Sequence, residues 1–411
     1  MREMKDSGIE WIGQIPKHWK IKKPKYIGSI RSGDSVTNKK LNDDIGYEVL
    51  GGNGTIGFYD KYNVDGTHII IGRVGALCGN SRITRGKKFI SDNALIYTCF
   101  EGQAENYINY IFDAFNLNKL NTSNAQPLIT GSKVLNIFIP YPYIIEQKII
   151  ADFLDSKCSE IDATAEDIQK EISLLEEYKK SVITEAVTKG LNPDAEMKDS
   201  GIEWIGEIPK HWKVLRIKNV GEYRNGLTYK PTDLTDENTG TLVLRSSNIQ
   251  DGKISLNDNV YVSTFVRSDL KVKKGDILIC SRNGSRELVG KNAIIEDLKD
   301  VTFGAFMMIF RCNSPKYLYY ILNSKVFSYY LGSFFTSTIN QLTGSNFGNM
   351  KIVYVSDKLE QSKIVSYLDS KCSEIDSLIA DKKRQLDIIA DYKKSLIYEY
   401  VTGKKEVPVN E

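Results

Sequence analysis

Histidine is scarce in this chain: three residues in 411, at His18, His68 and His211. The six cysteines (Cys78, Cys99, Cys158, Cys280, Cys312, Cys372) form no C-x-x-C pair, and no histidine stands at zinc-ligand spacing from them. A metal site is therefore not expected, and reduced, mostly buried thiols are. No apolar run approaches the roughly 20 residues that a membrane span needs. The opening Met1-Arg2-Glu3-Met4-Lys5-Asp6 has no apolar signal core, which leaves the cytoplasm as the expected compartment.

Catalytic signatures are missing as well. The stretch from Gly284 to Gly290-Lys291-Asn292 has one residue too many for a phosphate-binding loop and lacks the Ser/Thr that would ligate magnesium. Gly72-Arg73-Val74-Gly75 fails the dinucleotide pattern. Asn192-Pro193-Asp194-Ala195 is no adenine-methyltransferase motif, and neither a nuclease-type acidic cluster nor a Ser/His/Asp arrangement is visible. An enzyme in its own right is the least expected reading.

What is present is a duplication. Residues 4–20, MKDSGIEWIGQIPKHWK, recur at 197–213 with one change, Gln14 against Glu207. Asp155 to Asp162 recurs as Asp369 to Asp376, and Glu177-Tyr178-Lys179-Lys180-Ser181 matches Asp391-Tyr392-Lys393-Lys394-Ser395. The offset grows from 193 to 214, so the segment between the matched blocks is longer in the second half. There the two halves barely resemble each other. Such a plan keeps one face fixed for a partner while another changes its target. All four tryptophans (Trp11, Trp19, Trp204, Trp212) lie in the repeated frame. Packing on their own domain and docking on a partner subunit are both open to them.

Residues 146–188 contain no glycine or proline, and Leu154, Ile161, Ile168, Leu175 and Val182 recur every seven residues. Cys158, Ala165, Ile172 and Lys179 fill the companion positions. The second copy gives Leu368, Ile375, Lys382, Ile389 and Leu396, with Cys372, Ile379, Leu386 and Lys393. This is coiled-coil spacing, ended by Gly190 and Pro193 in one copy and by Gly403 in the other. Each helix would span roughly 60 Å at about 1.5 Å per residue, and the obvious partner for each seam is the other. An antiparallel pair places the two variable regions at opposite ends, as a ruler for two sites one or two turns of DNA apart.

The net charge of +3 averages over a division. Residues 146–190 carry eleven acids against six bases and residues 360–400 eight against seven, leaving +9 on the remainder. Positive charge thus falls where a phosphate-contacting surface needs it. The variable regions alternate short β-type runs with turns, such as His68-Ile69-Ile70-Ile71-Gly72-Arg73 and Ile277-Leu278-Ile279-Cys280-Ser281-Arg282-Asn283-Gly284. They read as mixed α/β domains with strongly curved sheets. Several strands end in arginine, asparagine or serine beside glycine; arginine pairs with guanine edges, and asparagine or glutamine with adenine edges. The candidate DNA-binding residues are Asn53, Arg73, Arg82, Arg85 and Gln126 in the first region. In the second they are Arg245, Asn248, Arg282, Asn283, Arg286 and Gln341.

The duplicated Ser-Gly-Ile-Glu-Trp-Ile-Gly-x-Ile-Pro-Lys-His-Trp, together with Gly51-Gly52-Asn53-Gly54-Thr55-Ile56-Gly57, Ser123-Asn124-Ala125-Gln126-Pro127, Gly275-Asp276-Ile277-Leu278 and the Glu-Gln pairs 146–147 and 360–361, resembles the specificity subunits of Type I restriction–modification systems. The resemblance spans essentially the whole chain. It implies an α+β fold in which two mixed α/β target-recognition domains with curved sheets are separated by two long helices, paired as an antiparallel coiled coil with a pseudo-two-fold repeat. The corresponding segments are 1–145 and 191–359 for the domains, 146–190 and 360–403 for the helices, and a tail at 404–411. It also implies double-stranded DNA, two modification subunits and restriction/translocase subunits as partners. The chain itself would carry no cofactor; S-adenosylmethionine, ATP and Mg²⁺ belong to those partners. Thr338-Ile339-Asn340-Gln341-Leu342 loses the Gln-Pro of the first half, which puts Gln341 in doubt as the counterpart of Gln126. A stand-alone DNA-binding protein and a coiled-coil scaffold for proteins are the competing readings.

Overall fold

A computed structural model describes residues 2–37, 41–75, 77–121, 128–334 and 340–408. They form two compact units, Met1–Gln169 with Arg384–Glu411, and Lys170–Lys383. Each unit thus holds part of both long helices.

In the first unit a four-stranded antiparallel sheet has the order Gly28–Ser32, Ala94–Cys99, His68–Gly72, Ser81–Thr84. A smaller sheet sets Tyr47–Gly51 between Gly54–Tyr59 and Phe89–Ile90, the last pair parallel. His68–Gly72 is an inner strand covered on both faces, which explains its continuous isoleucine run. Ile69 and Ile71 pack into the main core with Tyr107, Ile111 and Phe112 of the helix Glu105–Phe115. Ile70 packs the other way with Leu50 and Ile90.

The second unit repeats the plan. Its four-stranded sheet has the order Gly221–Asn225, Met307–Cys312, Ile277–Cys280, Asn292–Ile294. Thr241–Leu244 pairs in parallel with Thr302–Phe303. Ile277 and Ile279 face one core, Leu278 and Cys280 the other. Gly275, at φ +89°, makes the tight turn into the strand Ile277–Cys280. The adjacent Asp276, almost wholly buried, is gripped by Arg311 through Nε at 2.7 Å and Nη2 at 2.6 Å.

The long helices are Ile144–Lys189 and Lys358–Val401. In the first unit Phe153 packs on Tyr400 and Lys393 grips Asp162, the ammonium 2.6 and 2.7 Å from its two oxygens. In the second unit Lys179 grips Asp376 with the same pair of distances, and Lys382 pairs with Glu171. In both units the residue number rises along one helix as it falls along the other, so the pairing is antiparallel. The two equivalent seam lysines are thus answered by acids: each repeat's lysine reaches the other repeat's aspartate. Leu154, Ile168, Val182, Leu368, Ile375 and Leu396 are buried, whereas Leu175 and Ile389 are only half-buried.

The repeated frame caps each unit. Trp19 and Trp212 are fully buried, and the glycine ending the other repeat's helix lies against each. A β-carbon at Gly403 would meet Pro16 and Trp19, and one at Gly190 would stand 3.1 Å from Trp212. Trp11 donates to the Phe138 carbonyl at 3.1 Å and meets Phe115 edge-on. Trp204 stacks on Tyr329 with ring centres 4.5 Å apart. All four tryptophans pack within their own unit. His18 and His211 each lie 2.9 Å from the glutamate that opens a long helix, Glu146 and Glu360. All six cysteines are free, and four are buried. Among the described residues no helix is long and apolar enough to cross a membrane, and no group of three His/Cys/Asp/Glu could hold a metal.

Candidate nucleic-acid interface

Backbone hydrogen bonds align the two units residue by residue. Gly33 N donates to Ala94 O as Gly226 N does to Met307 O, at 3.0 and 3.1 Å. Ser91 N to Leu50 O matches Gly304 N to Leu244 O, both 2.9 Å. Arg73 N to Asn93 O matches Ser281 N to Phe306 O, and Ile129 N to Arg73 O matches Leu342 N to Ser281 O. At Gly33 and Gly226 a β-carbon would collide with the carbonyl of Ser91 or Gly304, so both crossings require glycine. The strand ends and turns at this crossing occupy the same frame in both units, but their side chains differ. Arg245 stands where the first unit has Gly51, Phe306 where it has Asn93, and Arg282 where it has Val74.

In the second unit these turns enclose an open groove of about 940 Å³. Arg245, Asp258, Arg282, Phe306, Tyr229 and Asn340 are among its lining residues. Arg245 leaves the strand Thr241–Leu244 and donates from Nη2 to Asp258 at 2.8 Å, its side chain about one-third exposed. The exposed Arg282 lies on the Phe306 ring, its guanidinium carbon 5.1 Å from the ring centre. The backbone of Arg282 is held on both sides, donating to Phe306 O at 3.1 Å and bridging to Gln341. Cations that keep exposed edges in a groove suit a polyanion with readable base edges.

Two second-unit candidates hydrogen-bond to the frame. Asn248 is fully buried; its Oδ1 accepts from Arg245 N at 2.9 Å, and its Nδ2 donates to Ser255 O and Asp258 O at 3.0 and 3.1 Å. Its polar atoms are turned inward, and none faces outward. Asn283 lines the groove, but its amide donates to Ser246 Oγ and its Oδ1 accepts from Ser285 N. Arg286 is exposed and reaches the Gly332 carbonyl at 3.2 Å. Gln341 is aligned by its bridge with Leu128, not with Gln126.

In the first unit Asn53 is exposed at the two-residue turn between Tyr47–Gly51 and Gly54–Tyr59. Arg73, half-buried, reaches Ser32 Oγ at 3.3 Å. Arg82 donates to the Gly51 carbonyl, and burial lowers the pKa of its guanidinium, partly offset by Glu48. Arg85 reaches Asn106 at 3.2 Å, in a cleft of about 260 Å³ shared with Tyr110 and Asp155. Gln126 lies outside the described residues. Phe306, Asp258 and Tyr229 were missed in the sequence. Phe306 follows Phe303-Gly304-Ala305, opposite the crossing glycine Gly226, a signal visible only once the two halves are aligned by their hydrogen bonds.

The Type I restriction modification DNA specificity domain matches this chain twice, at residues 16–174 and 209–387. The chain belongs to that family. DNA specificity in a Type I restriction–modification system is therefore its role. The Type I restriction enzyme MjaVIII specificity subunit of Methanocaldococcus jannaschii is 25% identical over 99% of this chain and 95% of its own length. The EcoKI specificity subunit of Escherichia coli is 27% identical over 55% of this chain and 44% of its own. A chain from a solved structure addressing assembly and conformational transition of the type I R-M system superposes with a TM-score of 0.66 at 14% identity. That superposition covers 95% of this chain and 99% of the other and speaks for the fold alone.

Proposed function

We propose that the chain is a non-catalytic reader of duplex DNA that works in the cytoplasm and recognises an asymmetric bipartite target, one part per unit. It directs adenine methylation, and cleavage where a restriction subunit is present, by partner subunits that use S-adenosylmethionine, ATP and Mg²⁺. The observation that carries this reading is the same hydrogen-bonded crossing built twice with different side chains. One frame with two linings suits two unlike half-sites. Two modification subunits are supported by apolar residues left exposed at equivalent positions of the helices. These are Ile145 and Leu359 (72% and 64% exposed), Leu174 and Ile388 (64% and 61%), and Tyr178 and Tyr392 (56% each). A patch that occurs twice suits a partner that binds twice.

The test is single-molecule sequencing of DNA from cells expressing the modification subunits with and without this chain. Methylation of one bipartite motif only when the chain is present is the expected result. Unchanged methylation, with DNA binding that shows no steep salt dependence, overturns the proposal in favour of a protein scaffold.

A further inference from the structure

The two crossings differ in arginine. The second unit brings Arg245 and Arg282 into one groove, and the first unit has Gly51 and Val74 at the corresponding positions. Neither arginine hangs free. Asp258 takes Nη2 of Arg245 at 2.8 Å, and the backbone NH that anchors this arginine is bonded to Asn248. Arg282 is spread on Phe306, itself 56% exposed, with its own backbone pinned to the Phe306 carbonyl. A guanidinium fixed at one edge or one face keeps its other donors in a set direction. Guanine alone presents two acceptors, O6 and N7, at matching spacing in the major groove. An arginine that only grips phosphate needs no such alignment.

We propose that Arg245 and Arg282 each read a guanine, so that the half-site of the second unit contains two G·C pairs. Asp258 and Phe306 are positioning residues for these two arginines. The half-site of the first unit is not read by arginine at either corresponding position. The inference rests on the bipartite reading above and adds the bases.

The experiment uses the chain assembled with its modification subunits. In the methylated motif, Arg282→Ala and Arg245→Ala each relax one G·C position of the same half-site by about 5- to 150-fold, and the other half-site keeps its sequence. Phe306→Ala relaxes the position that Arg282→Ala relaxes, Phe306→Tyr restores it, and Arg282→Lys does not, because an ammonium lacks the fork. Wild-type complex is also measured on DNA carrying 7-deazaguanine at those positions, which removes N7 without changing the protein; binding weakens at least about 5-fold. The inference is overturned if the half-site altered by these variants holds no G·C pair. It also fails if the variants weaken all sites equally, as lost phosphate contacts would, or if 7-deazaguanine has no effect. Absence of any bipartite motif removes the underlying reading instead.

Discussion

Asn248→Ala separates bracket from base reader. The side chain is fully buried and satisfies three backbone groups: the NH of Arg245 and the carbonyls of Ser255 and Asp258. Truncation leaves all three without this partner. A buried polar group left unpaired costs about 1–3 kcal/mol; relaxation and entering water bring the total toward the lower end, about 3 kcal/mol. For a cooperative unit of this size, 1 kcal/mol moves the melting temperature by roughly 2–4 °C, so calorimetry of Asn248→Ala is expected to show a fall of about 6–12 °C. Asn248→Asp, which aims a carboxylate at two carbonyls, falls further. The methylated motif is expected to degrade at the position read by Arg245, whose backbone the bracket holds. A shift below about 2 °C, with one adenine position relaxed, refutes the reasoning and makes Asn248 a base reader.

Arg311→Met strands the buried Asp276 carboxylate and is expected to destabilise the second unit by about 3–5 kcal/mol in urea titration. Leu154→Ala, at a fully buried seam position, costs about 2–5 kcal/mol, whereas Leu174→Ala, on the exposed face, stays within about 0.5 kcal/mol; paired denaturation midpoints check both. Lys179→Ala and Lys393→Ala remove partly exposed ion pairs and cost about 0.2–1 kcal/mol each. The double variant is expected to be additive, since the two pairs share no partner. Burial raises the Asp369 carboxyl, but hydrogen bonds from Lys316 and Tyr320 outweigh it and hold the pKa below the usual value. Its stabilisation is therefore present above the ordinary carboxylate pKa, about 3.9, and is lost as pH falls through the folded value. Asp369→Asn should be less stable than wild type at pH 7, with the difference shrinking below about pH 4 in midpoints measured across pH.

Period-two and period-seven patterns depend only on the local chain, so the strands and both long helices were legible in order. The isoleucine run 69–71 announced a strand, and the heptads announced a paired helix. The near-identical frames showed the duplication without any structure. The direction of pairing was legible too, since a chain with one apolar seam per helix and a domain joining the end of the first helix to the start of the second favours the antiparallel register. What the sequence could not decide was where a side chain spends its hydrogen bonds. Asn248 and Arg282 both follow strand ends beside small residues, yet one is enclosed by three backbone groups and the other lies on an exposed ring. Lys179 and Lys393 fill companion positions of the seam in the sequence, but only the fold brings Asp376 and Asp162 to them. The match of Arg245 to Gly51 and of Arg282 to Val74 appears only through backbone bonds between strands far apart in the chain. Burial and partners are long-range properties, set by which strands meet, and at those positions only the tertiary structure distinguishes a reader from a bracket.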